Sequence, residues 1–189
     1  MINQDFIEEK IAEILKVGMG LNLNDPNLKE TPYRVAKAFK EIFSGYDDDL
    51  TKYLKTFPAP QQTEDNQMII IKDMLCYSMC EHHILPFSCY VSVGYIPNKE
   101  IIGISKVERI VKSICRKLQT QEYITEEVAE FLNKTLKPKG VIVVIRNSEH
   151  MCMKMRGIET KNATVTSSAI RGVFKNLEVR EEFMKLLND

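Results

Sequence analysis

The sequence predicts an α+β fold in which two helices pack on one face of an antiparallel β-sheet, behind an N-terminal helical region. Three observations support this prediction. Apolar residues have helical spacing in the first third of the chain, the composition then becomes strand-like, and the elements follow the order β-β-α-α-β-β. We therefore expect an N-terminal helical region at residues 1–56, a linker at 57–66 and the main domain at 67–189.

Two helices are predicted in the N-terminal region. Apolar residues recur at helical spacing over 5–18. Thr31 is a good N-cap and Pro32 a good first helical residue for a second helix, which Gly45 is positioned to end. The stretch 57–66 contains prolines and polar residues, so it is expected to be a linker.

The strands of the main domain are predicted from runs rich in Ile, Val, Tyr and Phe at 67–75 and 87–96. A continuous apolar run, Val141–Ile145, predicts another strand, and 153–170 can supply one more. A short helix is expected from Leu177 to Leu187.

Two helices are predicted between these pairs of strands. The sequence from Ser105 to Glu108 matches a capping box and would open the first helix. Thr125 would open the second helix, which is expected to close at Gly140.

The composition excludes several functional classes. Lys and Arg (26) balance Asp and Glu (26), so there is no general electrostatic case for binding nucleic acid or a membrane surface. No stretch approaches a transmembrane span, and acidic residues interrupt the apolar N-terminus, unlike a signal peptide. The five cysteines form no disulfide pattern and are odd in number, which favours a reducing compartment. A cytoplasmic location is therefore expected.

All three histidines lie in two short clusters that also contain cysteine, Cys-Glu-His-His at 80–83 and His-Met-Cys at 150–152. Thiolates and imidazoles are the ligands that Zn²⁺ prefers. The two clusters therefore predict a metal site.

The number of protein ligands decides what kind of metal site this is. If Cys80, His83 and Cys152 bind, one position remains open for water, which is the pattern of catalytic zinc. A fourth ligand, Cys76 or His150, would instead close the site and make it structural.

The remaining imidazoles are candidates for proton transfer. In the three-ligand arrangement His82 and His150 are free beside a metal-bound water, and imidazoles are suited to proton transfer near neutral pH; packing histidines are the alternative.

A group of cations could hold an anion. Ser105, Lys106 and Arg109 line the first turn of a predicted helix, whose free N–H groups favour negative charge. Arg156 adds a cation close in sequence to Cys152. The alternative is an ordinary solvated helix start.

Gln121 and Glu122 form a polar pair between the two predicted helices. The Glu122 carboxylate could accept two parallel hydrogen bonds from a planar donor pair, such as the N1–H and N2–H₂ of guanine. The sequence has neither a P-loop nor a dinucleotide-binding glycine motif, so side chains would have to hold a nucleotide. A plain polar turn is the alternative.

These residues fall in motifs through which the sequence resembles the GTP cyclohydrolase I family. The resemblance covers most of the chain, from Thr31–Lys37 to Arg180–Phe183. The motifs are Cys80-Glu81-His82-His83, Tyr95-Ile96-Pro97, Ile102-Gly103-Ile104-Ser105-Lys106, Arg109-Ile110-Val111, Gln119-Thr120-Gln121-Glu122 and His150-Met151-Cys152-Met153-Lys154-Met155-Arg156-Gly157.

The resemblance implies a tunnelling fold that assembles as a toroidal homodecamer with sites between neighbouring subunits. It also implies a zinc-dependent hydrolase that opens the guanine ring of GTP, releases formate and forms 7,8-dihydroneopterin triphosphate. That reaction is the first step of tetrahydrofolate or tetrahydrobiopterin synthesis, and the sequence does not distinguish the two.

Roles for single residues also follow from the resemblance. One Zn²⁺ per subunit would be bound by Cys80, His83 and Cys152. His150 would protonate the purine at N7, and the ribose would be opened and rearranged with help from His82 and Ser105. Glu122 and Gln121 would hold the guanine edge, and the triphosphate would be bound by Lys37, Lys106, Arg109 and Arg156.

The chain departs from the family pattern at Leu118, where proline is usual, at Cys89, where glycine is common, and at Arg171, which adds a charge. None of these is a proposed ligand or catalytic residue. Two other functions remain open: a zinc-stabilised protein that binds a purine or pterin without turnover, and a related tunnelling-fold enzyme such as a nitrile reductase, which needs a reactive cysteine.

Overall fold

The computed structural model describes residues 2–60 and 67–189. The chain forms two compact units, Met1–Asp48 and Asp49–Asp189. The division therefore falls before residue 56, where the sequence places the end of the helical region. Residues 61–66 of the expected linker lie outside the described residues.

The first unit is helical, as the sequence predicts. Helix α1 spans Gln4–Glu13 and continues as a π turn, Ile14–Gly18, and it packs against α2, Thr31–Ile42. The predicted cap of α2 is wrong by one residue. The Thr31 amide already donates to the Leu28 carbonyl (3.0 Å), so the chain turns before Thr31 and Glu30 becomes the N-cap.

The end of α2 also differs from the prediction. The last helical residue is Ile42, and Gly45 lies beyond it in the 3₁₀ turn Ser44–Tyr46. The Phe43 amide still donates to the Phe39 carbonyl (2.9 Å), so the backbone closes the helix without using Gly45.

The second unit contains a small antiparallel pair, β1 (Thr56–Pro58) with β4 (Glu100–Ile102). Residues 57 and 58 belong to the stretch expected to be a linker. They are extended and paired because their backbone groups meet those of β4, and the Ala59 amide continues the contact by donating to the Lys99 carbonyl (2.9 Å).

The main sheet of the described residues has the order β5-β2-β3-β6-β7. Its long strands are all antiparallel neighbours: β2 (Ile69–Cys80), β3 (Pro86–Ile96), β6 (Gly140–His150) and β7 (Val165–Gly172). The two-residue strand β5 (Leu118–Gln119) adds a short parallel pairing to the end of β2. The predicted α+β class is confirmed, and the four long strands follow the predicted order along the chain, two before and two after the pair of helices.

Helices cover both faces of this sheet. Helices α3 (Ile104–Cys115) and α4 (Gln121–Leu136) pack on one face, over a core of alternate strand residues. The one-turn helix α5 (Met151–Lys154) follows β6 directly. Helix α6 (Leu177–Asn188) packs on the opposite face, where Phe174 and Phe183 are fully buried. None of the helices in the described ranges is long and apolar enough to cross a membrane.

The predicted start of α3 is wrong. The helix begins at Ile104 with Gly103 as its N-cap, so Ser105 lies inside the first turn and is not the cap. A tertiary contact fixes this start, because the Gly103 amide donates to the Lys55 carbonyl (3.0 Å).

The predicted bounds of α4 are also wrong. The cap is Thr120, whose side chain accepts a hydrogen bond from the Tyr123 amide (3.4 Å), so the helix begins at Gln121 and Thr125 lies one turn inside. The helix ends at Leu136, and its C-cap, Lys137, has the left-handed conformation (φ 45°). Gly140, where the sequence places the end, is instead the first residue of β6.

Strands β2 and β6 each contain a one-residue bulge. The pairing of β2 with β3 shifts between Ile71 and Met74, and Asp73 has a φ of 60°. The pairing of β6 with β7 shifts between Ile145 and Ser148, its pairing with β3 shifts between Arg146 and Glu149, and Asn147 has a φ of 53°. Asp and Asn are the non-glycine residues that enter this conformation most readily.

Each bulge changes the face of the sheet to which the following side chains point. In β2, Ile71 packs against the α3–α4 core before the bulge, and Cys76 and Cys80 do so after it. In β6, Val143 and Ile145 face that core before the bulge, and His150 reaches α4 after it. The bulges therefore turn Cys80 and His150 toward the same helices.

We expect the Gly94→Ala substitution to destabilise the second unit. A Cβ at Gly94 in β3 would lie 2.6 Å from two ring carbons of Phe183, a fully buried residue whose ring would have to shift. Overpacking of this kind costs about 1–3 kcal/mol in free energy of unfolding, measurable by urea denaturation. The control is Gly18→Ala, where the added carbon would enter open space. Equal stabilities of the two variants would contradict the close approach.

Candidate functional site

A cavity of about 220 Å³ opens where the ends of β2 and β6 meet the start of α4. The residues that line it are Cys80, His82, Phe87, Gln119, Thr120, Gln121, Glu122, His150, Cys152, Met153 and Val165. It therefore contains members of both histidine clusters.

Three potential metal ligands converge at one side of this cavity. Cys80 is the last residue of β2, a tight turn brings back His83, and Cys152 lies in α5. Their ligand atoms all lie within 4.8 Å of one another. The Cys80 Sγ and His83 Nδ1 atoms are 3.7 Å apart. Tetrahedral zinc with ordinary bond lengths would place such a sulfur and nitrogen about 3.6 Å apart, so these residues fit Zn²⁺.

The second histidine of the first cluster has a different position. Its Nδ1 is also close to Cys80 Sγ (3.8 Å), but His82 is not part of the group that includes Cys152. The His82 ring instead lines the cavity, and its Nε2 lies 3.6 Å from a Glu81 carboxylate oxygen.

The candidates for a fourth ligand lie outside this group of three. Cys76 is buried in the core, as are Cys89 and Cys115, so all three pack as small apolar residues. His150 lines the cavity but does not join the group either.

The thiol of Cys152 is influenced by the neighbouring thiol of Cys80. Burial, followed by the neighbouring Cys80, raises the pKa of the Cys152 thiol, and Arg156 opposes this shift. Two adjacent thiolates repel each other, so a bound divalent cation would favour their deprotonated forms.

His150 is held in place on two sides. Its ring stacks on Phe87, its register partner in β3, at a centroid distance of 4.5 Å and an interplanar angle of 14°. Its Nε2 lies 3.2 Å from Gln121 Oε1. Burial lowers the pKa of His150, and the negative charge of Glu122 partly offsets this. The neutral imidazole is therefore favoured at neutral pH.

Gln121 and Glu122 lie in the first turn of α4, not in a turn between helices. The Gln121 side chain is only 1% exposed, and its Nε2 donates to Ser167 Oγ (2.9 Å) while its Oε1 faces His150. Both ends of the amide are thus engaged within the chain. Glu122 is the member of the pair whose carboxylate remains available to a ligand in the cavity.

The predicted anion group lies away from this cavity. Ser105, Lys106 and Arg109 are in the N-terminal half of α3, whereas its C-terminal end approaches the cavity, because Gln119 donates to the Ile114 carbonyl. The rise of an α-helix places Ser105 about 15 Å from the C-terminal end of α3.

The other two candidate cations are in separate places. The Arg156 guanidinium lies beside the three potential metal ligands, with one nitrogen 3.1 Å from His83 Nε2. Lys37 is an exposed residue of α2, in the first unit.

The departures from the family pattern have structural positions. Arg171 in β7 pairs with Glu126 (2.5 Å) and Glu130 (3.2 Å) of α4, so it ties the edge strand to the helix. Cys89 is fully buried in the core. Leu118 lies in β5, where it pairs with Met79 of β2.

Three residues of the site were not found from the sequence: Phe87, Thr125 and Ser167. Phe87 reads as an ordinary strand residue until the register places it on His150. Thr125 follows Gln121 by one helical turn, but only the fold places Ser167 beside both.

Comparisons with known proteins give consistent results. The family model described as GTP cyclohydrolase I matches residues 7–188. A GTP cyclohydrolase 1 of Campylobacter jejuni (strain RM1221) is 43% identical over 186 residues, which cover 98% of this chain and 96% of that protein. The one of Porphyromonas gingivalis is 42% identical and covers 96% of this chain and 92% of its own.

Among solved structures, an archaeosine synthase QueF-Like in the apo form matches 58% of this chain and 97% of its own. The sequence identity is 19% and the TM-score 0.46.

Proposed function

The chain belongs to the GTP cyclohydrolase I family of hydrolases, and we propose that it opens the guanine ring of GTP in a zinc-dependent reaction. The products are formate and 7,8-dihydroneopterin triphosphate. The observation that carries this proposal is the position of His150 and Glu122 in the same cavity as Cys80 and Cys152.

Cys80, His83 and Cys152 are the residues that would hold one Zn²⁺ per subunit. Their spacing suits a tetrahedral ion with three protein ligands, which leaves a position for water. When bound, the zinc lowers the pKa of a coordinated water toward about 7 and so supplies hydroxide at neutral pH.

Substrate binding and proton transfer are divided between two neighbouring residues. Glu122 accepts hydrogen bonds from the guanine N1–H and N2–H₂, which sets the purine against His150. In its protonated form His150 donates a proton to N7, and the stacked Phe87 ring holds the imidazole in a fixed plane. His82, at the cavity wall, assists the opening and rearrangement of the ribose.

The rest of the site would come from other copies of the chain. Ser105, Lys106 and Arg109 lie about 9–15 Å along α3 from the end of the helix that approaches the cavity of their own subunit. A homodecamer with shared sites brings them to a neighbour's cavity, where Ser105 acts with His82 and the cations bind the triphosphate. Lys37 and Arg156 complete the phosphate contacts.

The product would enter tetrahydrofolate or tetrahydrobiopterin synthesis in the cytoplasm. No nucleic acid or membrane is needed as a partner, in line with the balanced charge of the chain.

The proposal predicts formate release and a pterin that fluoresces after oxidation when zinc-replete protein is incubated with GTP. ATP is the control substrate, because adenine lacks the N1–H and N2–H₂ donors that the Glu122 carboxylate would bind. Protein with about one zinc per chain that binds GTP and releases no formate would instead be a binding protein of the same fold.

A further inference from the structure

A chain of hydrogen bonds connects the backbone of α4 with His150. Thr125 Oγ1 lies 2.8 Å from the Gln121 carbonyl oxygen and 2.7 Å from Ser167 Oγ. Ser167 Oγ lies 2.9 Å from Gln121 Nε2, and Gln121 Oε1 lies 3.2 Å from His150 Nε2. These contacts form one continuous path from a main-chain carbonyl to the imidazole.

The direction of every bond in this path follows from counting protons. A carbonyl oxygen only accepts, so the single hydroxyl proton of Thr125 must point to the Gln121 carbonyl. Thr125 can then only accept from Ser167, whose own proton is thereby used. Ser167 in turn must accept from Gln121, so the atom of the amide that faces it is the NH₂ group.

The last bond of the path then has one possible direction. With its NH₂ group on Ser167, Gln121 presents its carbonyl oxygen to His150. An amide oxygen accepts only, so the His150 Nε2 must carry a proton. In the neutral ring the Nδ1 is then the unprotonated nitrogen.

We propose that Ser167 and Thr125 are positioning residues, which fix the orientation of the Gln121 amide and, through it, the protonated nitrogen of His150. This inference rests on the proposed role of His150 in proton transfer. Without these two hydroxyl groups, the Gln121 side-chain amide could present either its oxygen or its NH₂ group to His150. The imidazole would then populate both of its neutral tautomers.

Burial supports the polarity of this path. Gln121 and Thr125 are each 1% exposed, so loss of a partner would leave a buried polar group unsatisfied, which favours the fully paired arrangement. The register also supports it, because Ser167 pairs with Ile145 in β6 and faces α4 from the neighbouring strand. Thus Ser167 of β7 contributes to how α4 contacts the histidine.

The test measures GTP turnover by zinc-replete Ser167→Ala and Thr125→Val. Each is expected to lower kcat about tenfold while KM changes less than about twofold, because a positioned acid or base contributes about 10²–10⁴-fold and substrate contacts are untouched. The conservative variants Ser167→Thr and Thr125→Ser keep the hydroxyl and are expected to recover most of kcat.

A matched control separates this role from the stability of α4. Thr135 Oγ1 donates to the Phe131 carbonyl (2.6 Å), the same bond one turn back that Thr125 makes, at an exposed position of the same helix. Thr135→Val is expected to leave kcat unchanged. Unfolding midpoints of all variants show whether each is folded at the assay temperature.

A double-mutant cycle tests whether the path acts through Gln121. In a Gln121→Ala background, Ser167→Ala is expected to cause no further loss of kcat, since its effect passes through the amide. A second tenfold loss would mean that Ser167 acts independently, and would overturn the inference.

The ¹⁵N spectrum of histidine-labelled protein gives a readout that needs no turnover. The chain has three histidines, so His150 can be assigned by its loss in His150→Ala. At a pH where the ring is neutral, wild type is expected to carry the proton on Nε2, and Ser167→Ala to show a mixture. An unchanged tautomer with full kcat in Ser167→Ala would overturn the inference and leave the proposed function intact. Absence of formate release from wild type would overturn the function, and the spectra would still decide the hydrogen-bond polarity.

Discussion

Replacement of Cys152 by alanine is expected to release zinc and abolish formate production. The change leaves two protein ligands, Cys80 and His83, of the three whose atoms lie within 4.8 Å of one another. Loss of residues that merely orient metal ligands typically costs 10–100-fold in affinity or activity, so loss of a ligand is expected to cost more than about 100-fold in both. Zinc content by mass spectrometry and formate release are the two measurements.

The control for this variant is Cys89→Ala, which makes the same chemical change at a cysteine buried in the core. It is expected to keep about one zinc per chain. Full zinc occupancy in Cys152→Ala would mean that another residue completes the metal site, and the ligand assignment would have to be replaced.

The His150→Ala variant is expected to keep its zinc and to lose ring opening by about 10²–10⁴-fold, the usual contribution of a positioned acid or base. His150 contacts Phe87 and Gln121 and is not one of the three potential metal ligands. Its removal therefore takes away a proton donor and leaves the ligands of the zinc in place. Zinc content and single-turnover formate release measure the two parts separately.

The opposite metal result has a specific meaning. Loss of zinc from folded His150→Ala protein would make His150 a fourth ligand and the site a closed, structural one. Comparison with Cys152→Ala therefore separates the two assignments that the sequence leaves open.

The order of strands and helices could be predicted because each long element has its own apolar period. The starts of helices could not. Thr125 and Ser105 both stand before acidic residues, as capping residues do, yet Thr120 caps α4 through the Tyr123 amide and Gly103 starts α3 through its bond to Lys55. Contacts that are distant in sequence decide such boundaries, and a local pattern does not contain them.

The grouping of Cys80, His83 and Cys152 could be predicted from ligand chemistry, since the scarce histidines occur together with cysteines in the sequence. The neighbours of His150 could not be found in this way. The sequence places Gln121 against guanine, whereas its amide is buried between His150 and Ser167. That arrangement depends on β7 lying beside α4, which no local pattern of residues indicates.

The bulges at Asp73 and Asn147 change the parity of their strands. In β2 the core residues are odd-numbered up to Ile71 and even-numbered from Met74 to Cys80. Without the added residue, the side chains beyond the bulge would point to the opposite face of the sheet. Cys80 or His150 would then lie on the side of α6. The chemistry of this chain is thus encoded in strand length as well as in residue identity. We expect a single insertion or deletion between either bulge and the site to turn Cys80 or His150 to the other face, whereas a change of two residues keeps the frame.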